Sequence, residues 1–143
     1  MEPNVAARLF TIAEANALIP KLELIMARLQ QQTFFLRQEI ESLAQQTGQA
    51  VQNLPAERIL ELRPELHQVI DEVHGLLREI DAHGVQFKGL DLGLIDFPAE
   101  IEGERALLCW QYGEKELGYY HSPEGGFASR KPLYPQPRRN YLQ

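Results

Sequence analysis

Seven apolar residues constrain this chain more than any other feature. Ile59, Leu62, Leu66, Val69, Val73, Leu76 and Ile80 follow one another at steps of 3, 4, 3, 4, 3 and 4. Only an α-helix puts such positions on one stripe, and a stripe repeating every seven residues asks for a partner helix along its length. Pro64 falls inside the pattern, where a missing N–H kinks a helix or begins a new one. Gly84 follows where a left-handed C-terminal residue belongs.

The partner is expected upstream. Thr11-Ile12-Ala13-Glu14 has the capping-box pattern, with hydroxyl and carboxylate each accepting a backbone N–H, and Phe10 precedes it. Leu22, Ile25, Met26, Leu29, Leu36, Ile40 and Leu43 carry an apolar stripe onward. Pro20 interrupts it, so the helix either kinks there or a first piece ends near Ile19; Thr47-Gly48 supplies the stop. Unbroken from Thr11 to Gln46, the helix would be about 54 Å long at 1.5 Å per residue. The link from Gly48 to Pro55 is short, and a short link makes two long helices antiparallel.

After Gly84 the pattern changes. Eight of the ten glycines lie from Gly84 onward, with Trp110 and all five tyrosines. Strands are expected at Val85–Lys88, Gly93–Pro98, Arg105–Tyr112 and Leu117–His121, the last three as an antiparallel meander. In the third, Leu108, Trp110 and Tyr112 share one face and Leu107, Cys109 and Gln111 the other. Neither face is wholly polar, so both should be covered. Ala7–Phe10 is a candidate edge strand. The fold class is therefore α+β, a long antiparallel helical hairpin with a small antiparallel sheet at one end. One domain over 1–143 is expected: a hairpin over 11–83, a β-meander over 84–130 and an extended Pro-rich tail over 131–143.

Charge and cysteine usage narrow the function. The formal net charge is −6, with 12 acids against 7 bases in residues 1–84. That argues against a nucleic-acid binder, whose phosphate contacts need a basic surface; Arg130, Lys131, Arg138 and Arg139 are the only support for one. A single cysteine excludes an internal disulfide framework and a four-thiolate zinc site. No apolar run approaches a membrane span, and Met1-Glu2-Pro3-Asn4 has no basic, apolar leader. A reduced cytoplasmic protein is the expectation, with no membrane and no cofactor.

No Walker loop, GxGxxG, HExxH or CxxC motif is present. His67, Asp71 and His74, at helical spacings of four and three, could share a face as metal ligands, or simply form a solvated polar face. Asp96, Cys109, Glu114, Tyr120, His121 and Arg130 gather the polar residues of the meander, and Asp96 sits inside an apolar strand. A buried carboxylate needs a partner, which Arg130 or His121 would supply. The group is then a structural ion pair or a pocket, lined also by Trp110, in which Arg130 grips an anion and His121 moves protons. Cys109 with His121 as base is a nucleophile candidate, set against a small core residue. Gly125-Gly126-Phe127-Ala128-Ser129-Arg130-Lys131 is either an anion nest or a turn, and Lys131–Pro135 contains a PxxP spacing.

Three blocks carry a resemblance. Phe10 to Pro20 reads FTIAEANALIP; Gly84 to Lys88 and Gly93 to Pro98 read GVQFK and GLIDFP; Leu108-Cys109-Trp110, Gly113-Glu114, Tyr120-His121 and Gly125 to Arg130 close the chain. In this order they resemble the bacterial domain of unknown function 2203 family over nearly the whole chain. Tyr120 stands where Trp is common and Ser129 where Gly is common. The resemblance implies a small bacterial cytoplasmic protein and no known activity. It also marks Asp96, Cys109, Trp110, Glu114, His121 and Arg130 as motif positions.

An apolar surplus points to the leading functional expectation. Phe34 and Phe35 are adjacent, so one should miss the helical seam, and Leu60, Ile70 and Leu77 lie beside the second seam. Exposed apolar surface of this kind marks an interface. The expectation is an interaction or scaffold protein, not an enzyme, pairing with itself as a homodimer of two hairpins. The alternative is an anionic small-ligand binding or enzymatic site at the end of the sheet using Arg130, His121 and Asp96.

Overall fold

The computed structural model describes residues 8–134. Three helices, α1 (Ile12–Thr47), α2 (Ala56–Leu62) and α3 (Leu66–Ala82), precede five strands: β1 (Gln86–Phe87), β2 (Leu94–Ile101), β3 (Glu104–Gln111), β4 (Tyr119–His121) and β5 (Lys131–Pro132). The class is α+β. Two compact units emerge: a helical unit, Ile25–Glu79, and a sheet unit that joins the described residues up to Leu24 to those from Ile80 onward.

The capping box forms as read: the Thr11 N–H donates to Glu14 Oε1 at 2.9 Å, and the Glu14 N–H donates to Thr11 Oγ1 at 3.0 Å. Pro20 does not end α1, which continues for 36 residues. Pro64 does separate two helices, α2 and α3. Gly48 and Gly84, with φ of 73° and 84°, take the left-handed conformation that lets each long helix stop.

In the helical unit the paired residues run in opposite directions. Glu72 on α3 accepts from the Arg28 guanidinium and from Gln32 Nε2 at 2.8 Å; Arg63 reaches Glu39 at 3.5 Å and Gln46 at 3.1 Å. Pairs of 28 with 72 and 46 with 63 establish the antiparallel hairpin. Leu43, Leu54, Ile59 and Leu66 form one buried cluster, with Leu36, Ile40, Leu60, Leu62 and Val69 partly buried against it, and Ile25, Met26 and Leu29 of the same unit are buried too.

The sheet unit holds one antiparallel sheet in the order β1-β2-β3-β4-β5. The β2–β3 hairpin turns through Glu102 and Gly103, both at positive φ (53° and 82°), the conformation that matches strand twist. One face carries Ile95, Phe97, Ala99, Leu108 and Trp110, all buried. Phe10 meets Phe97 edge-on at 5.2 Å, and Asn16 Oδ1 accepts from the Leu117 N–H at 2.8 Å, fixing the start of α1 to the sheet unit.

Two expectations change. Phe10 joins β2 through a single backbone bond to the Pro98 carbonyl (2.7 Å) and forms no strand; Ala7 lies outside the described residues. The start of the Pro-rich tail pairs as a fifth strand, Pro132 against Tyr119 and Lys131 against Tyr120. Pro135, Pro137, Arg138 and Arg139 lie outside the described residues, so the PxxP spacing is only half seen.

Candidate functional site

Strand register builds the site. Asp96 pairs with Cys109, Cys109 with Tyr119, and Leu107 with His121. Opposed residues share a face, as do residues two apart. Asp96, Cys109, Tyr119 and His121 therefore lie on one side, opposite Ile95, Phe97 and Trp110. Asp96 and His121 are each 2% exposed and Cys109 is 0%.

His121 supplies the buried carboxylate's partner. Its Nε2 is 3.1 Å from Asp96 Oδ2 and its Nδ1 is 2.7 Å from the Ser122 carbonyl oxygen. A carbonyl only accepts, so Nδ1 must carry a hydrogen. Nε2 then faces a carboxylate oxygen with one proton between them, whether imidazolium donates to carboxylate or acid to neutral ring. Asp96 Oδ1, also buried, has no hydrogen-bond partner.

Cys109 completes the group: the candidate ligand atoms of Asp96, Cys109 and His121 all lie within 4.8 Å of one another. Burial, seconded by the Asp96 charge, pushes the thiol up to about 12, with Arg130 pulling weakly the other way. A thiol held protonated is a poor nucleophile, which weighs against the Cys109–His121 nucleophile reading and favours the small core residue.

Arg130 is committed elsewhere. Its Nη2 donates to both Glu114 carboxylate oxygens at 2.9 Å and to the Cys109 carbonyl at 3.2 Å. Its guanidinium lies 4.1 Å from the Tyr119 ring centre and 4.9 Å from that of Phe127. Glu114 Oε1 also accepts from the Gln111 N–H, and the Glu114 carbonyl from Trp110 Nε1, each at 2.8 Å. Arg130 thus locks the loop after β4 to the turn after β3. Of the residues expected to line one pocket with Asp96 and His121, Trp110 points to the other face of the sheet and Arg130 is paired with Glu114. Tyr120, opposite Leu108, also belongs to that other face. It lines a separate cleft of about 240 Å³ with Glu102, Arg105, Ser122 and Lys131.

The remaining candidates separate. His67, Asp71 and His74 are all exposed on α3, and the group gathered at ligand distance among the described residues is the one in the sheet. The Gly125–Lys131 segment is a turn: neither Gly125 nor Gly126 has a positive φ, and Ser129 Oγ bonds back to Gly126 N and O at 3.0 and 2.9 Å. Tyr119 and Phe127, which sandwich Arg130, carried no sequence signal beyond being aromatic near a cation. The Ser122 carbonyl was not readable at all.

No helix among the described residues is long and apolar enough to cross a membrane. No curated protein and no solved structure matches the chain. A family profile described as an uncharacterised conserved protein (DUF2203) matches residues 8–133, and the chain belongs to that family.

Proposed function

We propose that this protein is a self-associating interaction module whose helical unit pairs with that of a second copy. The observation that carries the reading is the partly exposed seam. Val69, Val73 and Leu76, the middle of the heptad pattern, are only partly buried, as are Ile70 and Leu77 beside them and Leu36 and Ile40 on α1. Phe34 and Phe35 both miss the seam, at 58% and 43% exposed.

The two flanks of the hairpin differ. Arg28 and Gln32 strap one side of α1 to Glu72 on α3, and Glu39 and Gln46 strap it to Arg63 at the end of α2. Helical geometry puts Ile70 and Leu77 of α3 toward the other side, with Ile40 the α1 apolar residue turned that way. There a groove opens between Thr33, Leu36, Arg37, Ile40, Glu41 and Val51. Its rim carries Arg37 and Glu41 one turn apart. When this stretch of α1 meets itself about a two-fold axis, Arg37 of each copy faces Glu41 of the other, so the face is complementary to itself. A second copy is therefore the occupant.

The same reading sets the protein in a bacterial cytoplasm, as the family resemblance implies, where a lone buried thiol stays reduced. Light scattering with charge variants tests the pairing. Arg37→Glu weakens the dimer by about ten-fold or more, and adding Glu41→Arg restores it. Equal association of wild type, single and double variants would remove this face as the contact.

A further inference from the structure

We propose that Asp96, Cys109 and His121 form a binding site for a divalent transition metal, with zinc as the best-fitting ion. One imidazole nitrogen, one thiolate and one carboxylate make a donor set that zinc accepts, with a fourth position left for water. The three side chains project from adjacent strands of one sheet, β2, β3 and β4, so the backbone holds their spacing. Tetrahedral zinc, with bonds of about 2.0–2.3 Å, sets its donors about 3.3–3.7 Å apart. The Asp96–His121 contact of 3.1 Å opens slightly and the widest separation, no more than 4.8 Å, closes by about 1 Å to reach this.

Two further observations point to a ligand. Asp96 Oδ1 is a buried acceptor with no hydrogen bond of normal geometry, and the donor that faces the Asp96 carboxylate from β3 is the Cys109 thiol, a weak one. A buried oxygen left so is costly unless something positive reaches it. The His121 ring is also set as metal-ligating histidines are: Nδ1 donates to a backbone carbonyl at 2.7 Å, which fixes the tautomer and aims Nε2 inward.

Charge and protons balance. The metal's two positive charges meet one thiolate and one carboxylate, leaving a buried site of zero net charge beside the Arg130–Glu114 pair. Three metal–ligand bonds form and two protons leave: the thiol proton of Cys109 and the proton held between His121 and Asp96. The site lies within the sheet unit and does not depend on the helical face.

The test uses the full untagged chain stripped with chelator. Titrated with cobalt(II) chloride, the wild type develops a near-ultraviolet thiolate-to-cobalt band and visible d–d bands of tetrahedral intensity, saturating at one ion per chain. Zinc sulfate displaces the cobalt, and zinc binding releases two protons, read from calorimetry in buffers of different ionisation heat. Cys109→Ser abolishes the thiolate band, and both it and Asp96→Asn weaken zinc binding at least a hundred-fold in competition with a chromophoric chelator. His67→Gln with His74→Gln changes nothing. The wild-type spectrum needs no variant to fold. Absence of the thiolate band, or loss of binding in the α3 histidine variant instead, would overturn the proposal.

Discussion

Cys109 illustrates how one buried side chain turns into measurable behaviour. Its thiol is inaccessible and held protonated, so iodoacetamide at neutral pH should leave the native protein unlabelled and label it once urea unfolds the chain. Rapid labelling of the folded protein would contradict the burial. The raised thiol also makes stability depend on pH. Between the ordinary thiol value of 9.0 and about 12 the unfolded chain loses a proton that the folded chain keeps. Stability is therefore intact below pH 9 and falls as pH rises towards 12, by at most about 1.4 kcal/mol per pH unit. Urea midpoints of wild type and Cys109→Ala across that range should diverge, with the variant's the flatter. Arg130 offers a second check. Arg130→Met leaves Glu114 without its cation and the Tyr119–Phe127 slot without its guanidinium, and should cost about 2–4 kcal/mol in urea denaturation. Arg130→Lys should recover little, because a compact ammonium lacks the planar group that lies over the Tyr119 and Phe127 rings. At this scale the sequence was half legible. An acid within Leu94-Ile95-Asp96-Phe97 signals a buried carboxylate needing a partner. Choosing His121 over Arg130 required knowing that Leu107, two residues from Cys109, is opposite His121, and register between distant strands is absent from local spacing.

Elements were legible where local physics decides them. The capping box, the two glycine stops and the break at Pro64 each rest on backbone chemistry within a few residues. Pro20 shows the limit: whether a helix passes through a proline depends on what surrounds it, and Ile19 and Leu22 on either side are buried in the packed start of α1. The fifth strand was missed because proline argues against a strand. Pro132 is tolerated at the sheet's edge, where no neighbour beyond β4 needs its N–H. The β2–β3 turn holds a correctable weakness. Glu102 sits at φ 53°, a left-handed position that suits asparagine better. Glu102→Asn should raise stability by about 0.5–1 kcal/mol in thermal or urea unfolding. Unchanged or lower stability would mean that the Glu102 side chain contributes more than its backbone strain costs.

The whole molecule divides its apolar residues unevenly. In the sheet unit both faces of β3 are covered, from Ala106 through Trp110, and the surrounding chain supplies the cover. In the helical unit Ile25, Met26 and Leu29 are buried along with Leu43, Leu54, Ile59 and Leu66, yet Val69, Val73 and Leu76 of the α3 seam stay partly exposed. Helices gain most of their stability from packing an apolar face rather than from propensity, so a hairpin with a partly exposed seam gains stability from whatever covers it. The heptad spacing made this surplus visible in the sequence. Which side of the hairpin stays open was not visible, because it depends on Glu72 and Arg63 tying down the opposite flank. If self-pairing fills the seam, thermal stability should rise with protein concentration, and Ile70→Asn should both lower it and remove that dependence. Sedimentation equilibrium at micromolar concentration tests the account most directly. The mass should be twice the 16.4 kDa of the chain and fall toward one chain on dilution. A single-chain mass held up to the highest concentration the protein tolerates would contradict it.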